Sequence, residues 1–99
     1  MVVTAQDKLA LARQAARLLY QNGARQVWVF GSVARGRKQD FRSDIDLAVE
    51  GLPGHLHLDM LGAMMELFPC PVDLVRMEKA SPRLRENIVR FGVALPCEN

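Results

Sequence analysis

The sequence predicts a small α/β protein. One mixed β-sheet of three core strands is flanked by helices, in the order helix, strand, turn, strand, helix, strand, helix. Three observations predict it. Apolar residues recur at helical spacing near the N-terminus. Two short strand-like runs, Val27-Trp28-Val29-Phe30 and Ile45-Asp46-Leu47-Ala48-Val49, are separated by a basic, glycine-bearing stretch. A third such run, Val72-Asp73-Leu74-Val75, lies between two further helical segments.

The first helix is expected over residues 5–21. Leu9, Ala12, Ala16 and Leu19 form its stripe, with Leu11, Ala15 and Leu18 widening it. Thr4 with Asp7 three positions later has the form of a capping box, Asp standing in the Glu/Gln place. Gly23 is the stop signal. Residues 26–30 read as a strand covered on both faces, because the run is apolar without alternation. Gly31-Ser32 ends it. A short helix is expected over 33–36 and a loop over 37–43. The second strand, 44–50, alternates strictly: Ile45, Leu47 and Val49 face one way, and Asp44, Asp46, Ala48 and Glu50 the other.

Gly51-Leu52-Pro53-Gly54 breaks the chain. A helix over 55–68 follows, with Leu61, Met64, Met65 and Phe68 as its buried stripe, the methionines filling core space. Pro69 ends it, and residues 72–75 form the third strand. Ser81-Pro82 starts the last helix, Ser as N-cap and Pro at the first helical position. Leu84, Ile88 and Phe91 make its apolar face. Gly92 stops it, and Val93-Ala94-Leu95 adds a short edge strand.

Length and composition bound the function. Ninety-nine residues fit a single domain over 1–99. Hydrophobic residues are 49% and charged residues 24%, which excludes a disordered tail, a collagen-like chain and a disulfide scaffold. No apolar stretch is long enough to span a membrane, and the N-terminus carries no secretory signal pattern, so a cytoplasmic protein is expected. Cys70 and Cys97 are read as free thiols. His55 and His57, two apart, point to different faces of a helix and make no zinc pair. The formal charge of +2 argues against a direct nucleic-acid partner. Its basic residues are nevertheless concentrated: Arg35, Arg37, Lys38 and Arg42 lie within eight positions, opposed only by Asp40. Such a run is either a solvated loop or a cationic rim for phosphate.

The chemistry is carried by carboxylates in strands, where Asp is depleted. Asp44 and Asp46 lie on one strand face, roughly 6–7 Å apart, and repel each other unless a cation sits between them. Carboxylate oxygens suit Mg²⁺ or Mn²⁺. Asp73, acidic in an otherwise apolar strand, joins them if the second and third strands are neighbours. Three convergent carboxylates can hold two metals, a clamp for in-line displacement at phosphorus. Gly31-Ser32, after a buried strand, turns backbone N–H groups and a hydroxyl into one small volume, an anion site.

The runs Phe30-Gly31-Ser32-Val33-Ala34-Arg35-Gly36 and Ser43-Asp44-Ile45-Asp46-Leu47-Ala48-Val49 resemble the signature of the DNA polymerase β-like nucleotidyltransferase superfamily. The closer resemblance is to its minimal nucleotidyltransferases, the small antitoxin partners of HEPN-domain proteins. Eleven residues separate Ser32 from Asp44, a spacing within the superfamily's range. The resemblance implies the polymerase β palm-like fold and transfer of a nucleoside monophosphate from a nucleoside triphosphate with Mg²⁺. It implies that Gly31 and Ser32 hold the β- and γ-phosphates, with Arg35 assisting. Asp44 and Asp46 would ligate the metals, and Asp73 would complete the second metal site and help activate the acceptor hydroxyl.

By the same resemblance the expected activity is transfer of AMP from ATP to a HEPN-domain toxin, with this chain as antitoxin. Larger relatives carry a further domain that grips base and acceptor, and 99 residues leave no room for one, so a partner is expected to complete the site. Two other readings stand beside this one. One is a non-catalytic antitoxin that blocks its partner by binding, and the other an enzyme acting on RNA ends or a small molecule. The intact set Gly31, Ser32, Asp44, Asp46 and Asp73 favours catalysis.

Overall fold

In the computed structural model, which describes residues 5–31 and 44–97, three helices surround a four-stranded mixed sheet. The expected cap at Thr4, the short helix over 33–36 and the loop over 37–43 lie outside the described residues. Helix α1 spans Ala5–Gln21, strand β1 Gln26–Phe30 and strand β2 Ile45–Glu50. A single 3₁₀ turn, Gly54–Leu56, leads into α2, His57–Leu67. Strand β3 is Val72–Arg76, and a second 3₁₀ turn, Met77–Lys79, precedes α3, Pro82–Phe91. Strand β4 is Val93–Leu95.

The strand order is β3-β2-β1-β4. β1 is antiparallel to both β2 and β4, and β2 is parallel to β3. The parallel pair needs a crossover, and α2 supplies it. The edge strand β4 completes the three expected core strands. Its inner edge is tied down by Tyr20, whose hydroxyl donates to the Leu95 carbonyl at 2.6 Å and accepts from the Val27 N–H at 3.0 Å. At the opposite edge His57 Nε2 stands 3.0 Å from the Leu74 carbonyl, so it is the protonated nitrogen and donates to β3.

The alternation of β2 sorts the two faces. Ile45, Leu47 and Val49 join Val27, Val29 and Leu74 under α1 and α2, in one buried cluster with Ala12, Leu19 and Met64. On the other face Ala48 packs with Met77 and Ile88, flanked by Trp28, Phe30, Val75 and Leu84. β1 is thus covered unequally. Val27 and Val29 are fully buried, while Trp28 and Phe30 are half-buried beneath α3.

Two helix faces differ from expectation. In α2 the buried row is Met60 and Met64, continuing to Phe68, whereas Met65 is 63% exposed. One position past Met64 on a helix is a 100° rotation, which carries Met65 off the sheet. In α3 Ile88 is buried and Leu84 half-buried, but Phe91 is 59% exposed. The start of α3 is as expected: Ser81 Oγ accepts from the Leu84 N–H at 3.2 Å, and Pro82 is the first helical residue.

Candidate active site

The candidate residues gather at one end of the sheet, where β1 finishes and β2 and β3 begin. The register pairs Asp46 with Asp73 across parallel β2 and β3, and Phe30 with Asp46 across β1 and β2. Paired residues in a parallel ladder present side chains to the same face, about 4.8 Å apart at the backbone. Both aspartates therefore stand on the face that α3 borders. Asp44, immediately before β2, and Asp73 are exposed, while Asp46 is half-buried.

The electrostatics single out Asp46. Burial raises its pKa first, and the charges of Asp73 and Asp44 raise it further. The charged form of Asp46 is thus disfavoured first by burial and then by its two acidic neighbours. A cation at this face would relieve that penalty, so the acidic set fits a hard divalent ion. Among the described residues no three of His, Cys, Asp and Glu, the set Asp44, Asp46 and Asp73 included, are grouped so as to hold a metal ion between them. A Mg²⁺ ion does not require such a group, because it is ordinarily held by one or two carboxylates together with substrate phosphates and water.

Gly31 is placed where only glycine fits. It follows β1 with φ of +77°, and a Cβ there would lie 2.5 Å from Asp46 Oδ2. The backbone turn out of β1 consequently runs directly against the central carboxylate. Of the expected phosphate contacts, Gly31 is beside Asp46, whereas Ser32 and Arg35 lie outside the described residues.

Residues 14–99 match the family described as polymerase beta, nucleotidyltransferase. The chain belongs to the polymerase β nucleotidyltransferase family. Among solved structures this nucleotidyltransferase is similar to a candidate minimal nucleotidyltransferase at 34% identity and a TM-score of 0.76, covering 94% of this chain and 95% of that one. It is also similar, at 26% identity and a TM-score of 0.73, to a chain of a toxin–antitoxin complex with AMP-PNP, covering 88% of this chain and 74% of that one. A third likeness is one of fold, at 23% identity and a TM-score of 0.69. That chain comes from a complex of the tri-AMPylated Shewanella oneidensis HEPN toxin with its MNT antitoxin, with 92% of this chain and 73% of that one covered. A search among curated proteins gives no match.

One residue of this nucleotidyltransferase escaped the sequence reading. Lys8 is fully buried. It lies on the stripe of Ala12, Ala15, Ala16 and Leu19, at the spacing that buries those residues, and a lysine in phase with an apolar stripe was the available signal. Its charge reaches Cys70, at the site end of the sheet. Burial pushes that thiol up, Lys8 draws it down and Asp44 pushes it up again. Tyr20, the one tyrosine, has its hydroxyl engaged on both sides by Leu95 and Val27.

Proposed function

We propose that this chain transfers AMP from ATP to a hydroxyl of a partner protein, a HEPN-domain toxin, and thereby acts as its antitoxin in the cytoplasm. The observation that carries this reading is the pairing of Asp46 with Asp73 on the sheet face that α3 borders, with Gly31 packed against Asp46. The toxin–antitoxin neighbour with AMP-PNP and the neighbour containing an AMPylated toxin support the choice of nucleotide and acceptor.

Asp44, Asp46 and Asp73 are the residues to hold Mg²⁺, or Mn²⁺ in its place. Bound there, the metal supplies charge neutralisation for the phosphates and lowers the pKa of the attacking hydroxyl. Gly31 and Ser32 are the residues assigned to the β- and γ-phosphates by the family resemblance, with Arg35 assisting. The acceptor oxygen attacks the α-phosphorus, and the bond from that phosphorus to the β-phosphate bridging oxygen breaks. Pyrophosphate leaves, and the hydroxyl proton passes to Asp73 or to water.

Incubation with Mg²⁺, the product of the neighbouring gene, and ATP labelled at either the α- or the γ-phosphate tests this. Label on the partner band from α-labelled ATP alone, absent with Asp46→Asn, is the expected result. A stable complex with no label from either nucleotide would replace catalysis with blocking by binding.

A further inference from the structure

Helix α2 is apolar over more of its surface than the sheet covers. Of its residues only His57, Asp59, Gly62 and Glu66 are not Leu, Met or Ala. A helix apolar all round is ordinarily covered on both sides. Met60 and Met64, continued by Phe68, take the side toward the sheet. Leu58, Leu61, Gly62 and Met65 fall within about 100° of arc on the other side. Leu58 is 76% and Met65 63% exposed, Gly62 is exposed and Leu61 half-buried. A Cβ added at Gly62 meets nothing within 4 Å, so the middle of this stripe is open to close approach. Asp59 and Glu66, both exposed, border the stripe along one flank.

The place of α2 in the fold decides the form of partner that fits. It crosses from β2 to β3, and β3 is an outer strand of the sheet. The Ile45 N–H donates to the Pro71 carbonyl, so the backbone groups of Asp73 turn to β2 and those of Leu74 turn outward. His57, at the start of α2, already occupies the Leu74 carbonyl. That bond interrupts the row of free groups that an added strand would need. The apolar stripe asks for no backbone pairing and suits a helix laid along α2, with Gly62 letting the two axes come close. α2 ends at the carboxylate end of the sheet, because Phe68 is followed closely by Pro71 and its bond to Ile45. Asp73 faces the other side of the sheet, yet it stands on the outer strand, so one strand separates it from a helix docked there.

We propose that the outer stripe of α2 docks the acceptor protein through an amphipathic helix of that protein whose polar edge is basic. Leu58, Gly62 and Met65 receive the apolar side of that helix, and Asp59 and Glu66 its cations. This inference rests on the protein-acceptor reading given above and names the surface and the form of partner that reading lacks. The two carboxylates disfavour an RNA or an anionic membrane, whose phosphates they repel. They also disfavour a second copy of this chain. Two α2 stripes packed antiparallel about a two-fold axis bring Asp59 of one beside Glu66 of the other, along a single edge.

Titration calorimetry measures this binding apart from transfer. The neighbouring-gene product is titrated against the wild type, Met65→Glu, Gly62→Glu, the pair Asp59→Lys with Glu66→Lys, and Val89→Glu on α3, with circular dichroism confirming that each is folded. Expected is at least about a tenfold loss of affinity for Met65→Glu, for Gly62→Glu and for the charge pair, with a flatter salt dependence for the pair. Val89→Glu should bind as the wild type does. Gly62 has open space around it, and glycine is a weaker helix former than glutamate, so affinity lost in Gly62→Glu belongs to the surface and not to the fold. Wild-type affinity in both stripe variants, or in the charge pair, would overturn the proposal, as would failure of the wild type to bind. A dimer of this chain alone in sedimentation, dissolved by Met65→Glu, would overturn it in favour of a second copy. Displacement of the partner from the wild type by single-stranded RNA or anionic vesicles, but not from Met65→Glu, would overturn it too. Binding that depends on Met65, with no label on the partner from α-labelled ATP, would keep the docking surface and reject the catalytic reading. Labelling by the wild type, with full affinity in the stripe variants, would do the reverse.

Discussion

Asp46 combines two roles that oppose each other. Its place on β2, beside Asp73, suits a cation, yet the native state disfavours its charge. Its pKa is raised on folding, so protonation favours the native state. The associated stability is complete below the ordinary Asp pKa and is lost as pH rises through the raised one. Asp46→Asn is therefore expected to unfold at the same temperature as wild type in acid and at a higher one near neutrality, by thermal melts across pH. Transfer should fall at least about a hundredfold, or about 3 kcal/mol of barrier, in the labelled-ATP assay. Gly31→Ala makes the opposite trade. A φ of +77° costs a side chain about 1–2 kcal/mol, and the added carbon would press on Asp46 Oδ2. Both melting temperature and transfer should drop, and an unchanged melt would remove the strain argument.

Among the elements, the strands were the most legible part of the sequence. Period-two alternation in β2 put Ile45, Leu47 and Val49 on one face and Asp46 and Ala48 on the other, and the packing follows that division. The adjacency of Asp46 and Asp73 was conditional on strand order, which residue pattern does not encode. Helix faces were legible only to within one residue. Met65 and Phe91 are apolar and near the right phase, yet both point outward, because hydropathy does not distinguish a core stripe from an exposed one beside it. Contacts between elements were invisible to pattern. The Gly51 N–H donates to Glu78 Oε2 at 2.7 Å, joining the end of β2 to the turn after β3. Burial pushes the Glu78 carboxyl up, but this bond, its own backbone N–H and the Arg76 and Arg25 charges outweigh it and hold the pKa low. The stabilisation is present above the ordinary Glu pKa and lost as pH falls through the lower native one. Glu78→Gln should cost no more than about 1 kcal/mol, given its exposure, and the difference from wild type should vanish in acid melts. Tyr20→Phe removes two hydrogen bonds at β4 and should cost about 1–2 kcal/mol, about 4–8 °C in melting temperature per kcal/mol.

At the scale of the whole molecule, the sheet divides labour between its ends and its faces. α1 and α2 pack on one face, α3 on part of the other, and the end where β1 finishes carries Asp46 and Asp73 from separate strands. These carboxylates are brought together only when β2 and β3 are paired, so a ligand that needs both binds the folded state alone. Folding and binding are then linked. A nucleotide present at about a hundred times its dissociation constant stabilises the native chain by about 2.7 kcal/mol, roughly 10–20 °C for a domain of this size. ATP and Mg²⁺ together should produce such a shift in a thermal melt, and either alone much less. Asp46→Asn should lose the Mg²⁺-dependent part while keeping its higher starting temperature. Protons compete with the cation for Asp46, so the Mg²⁺-dependent shift should fade as pH falls through the raised Asp46 pKa, earlier than for an ordinary aspartate. An equal shift in wild type and Asp46→Asn at every pH would detach the nucleotide from the carboxylates. The paired aspartates would then be a repulsive feature of the sheet with no cation to relieve it.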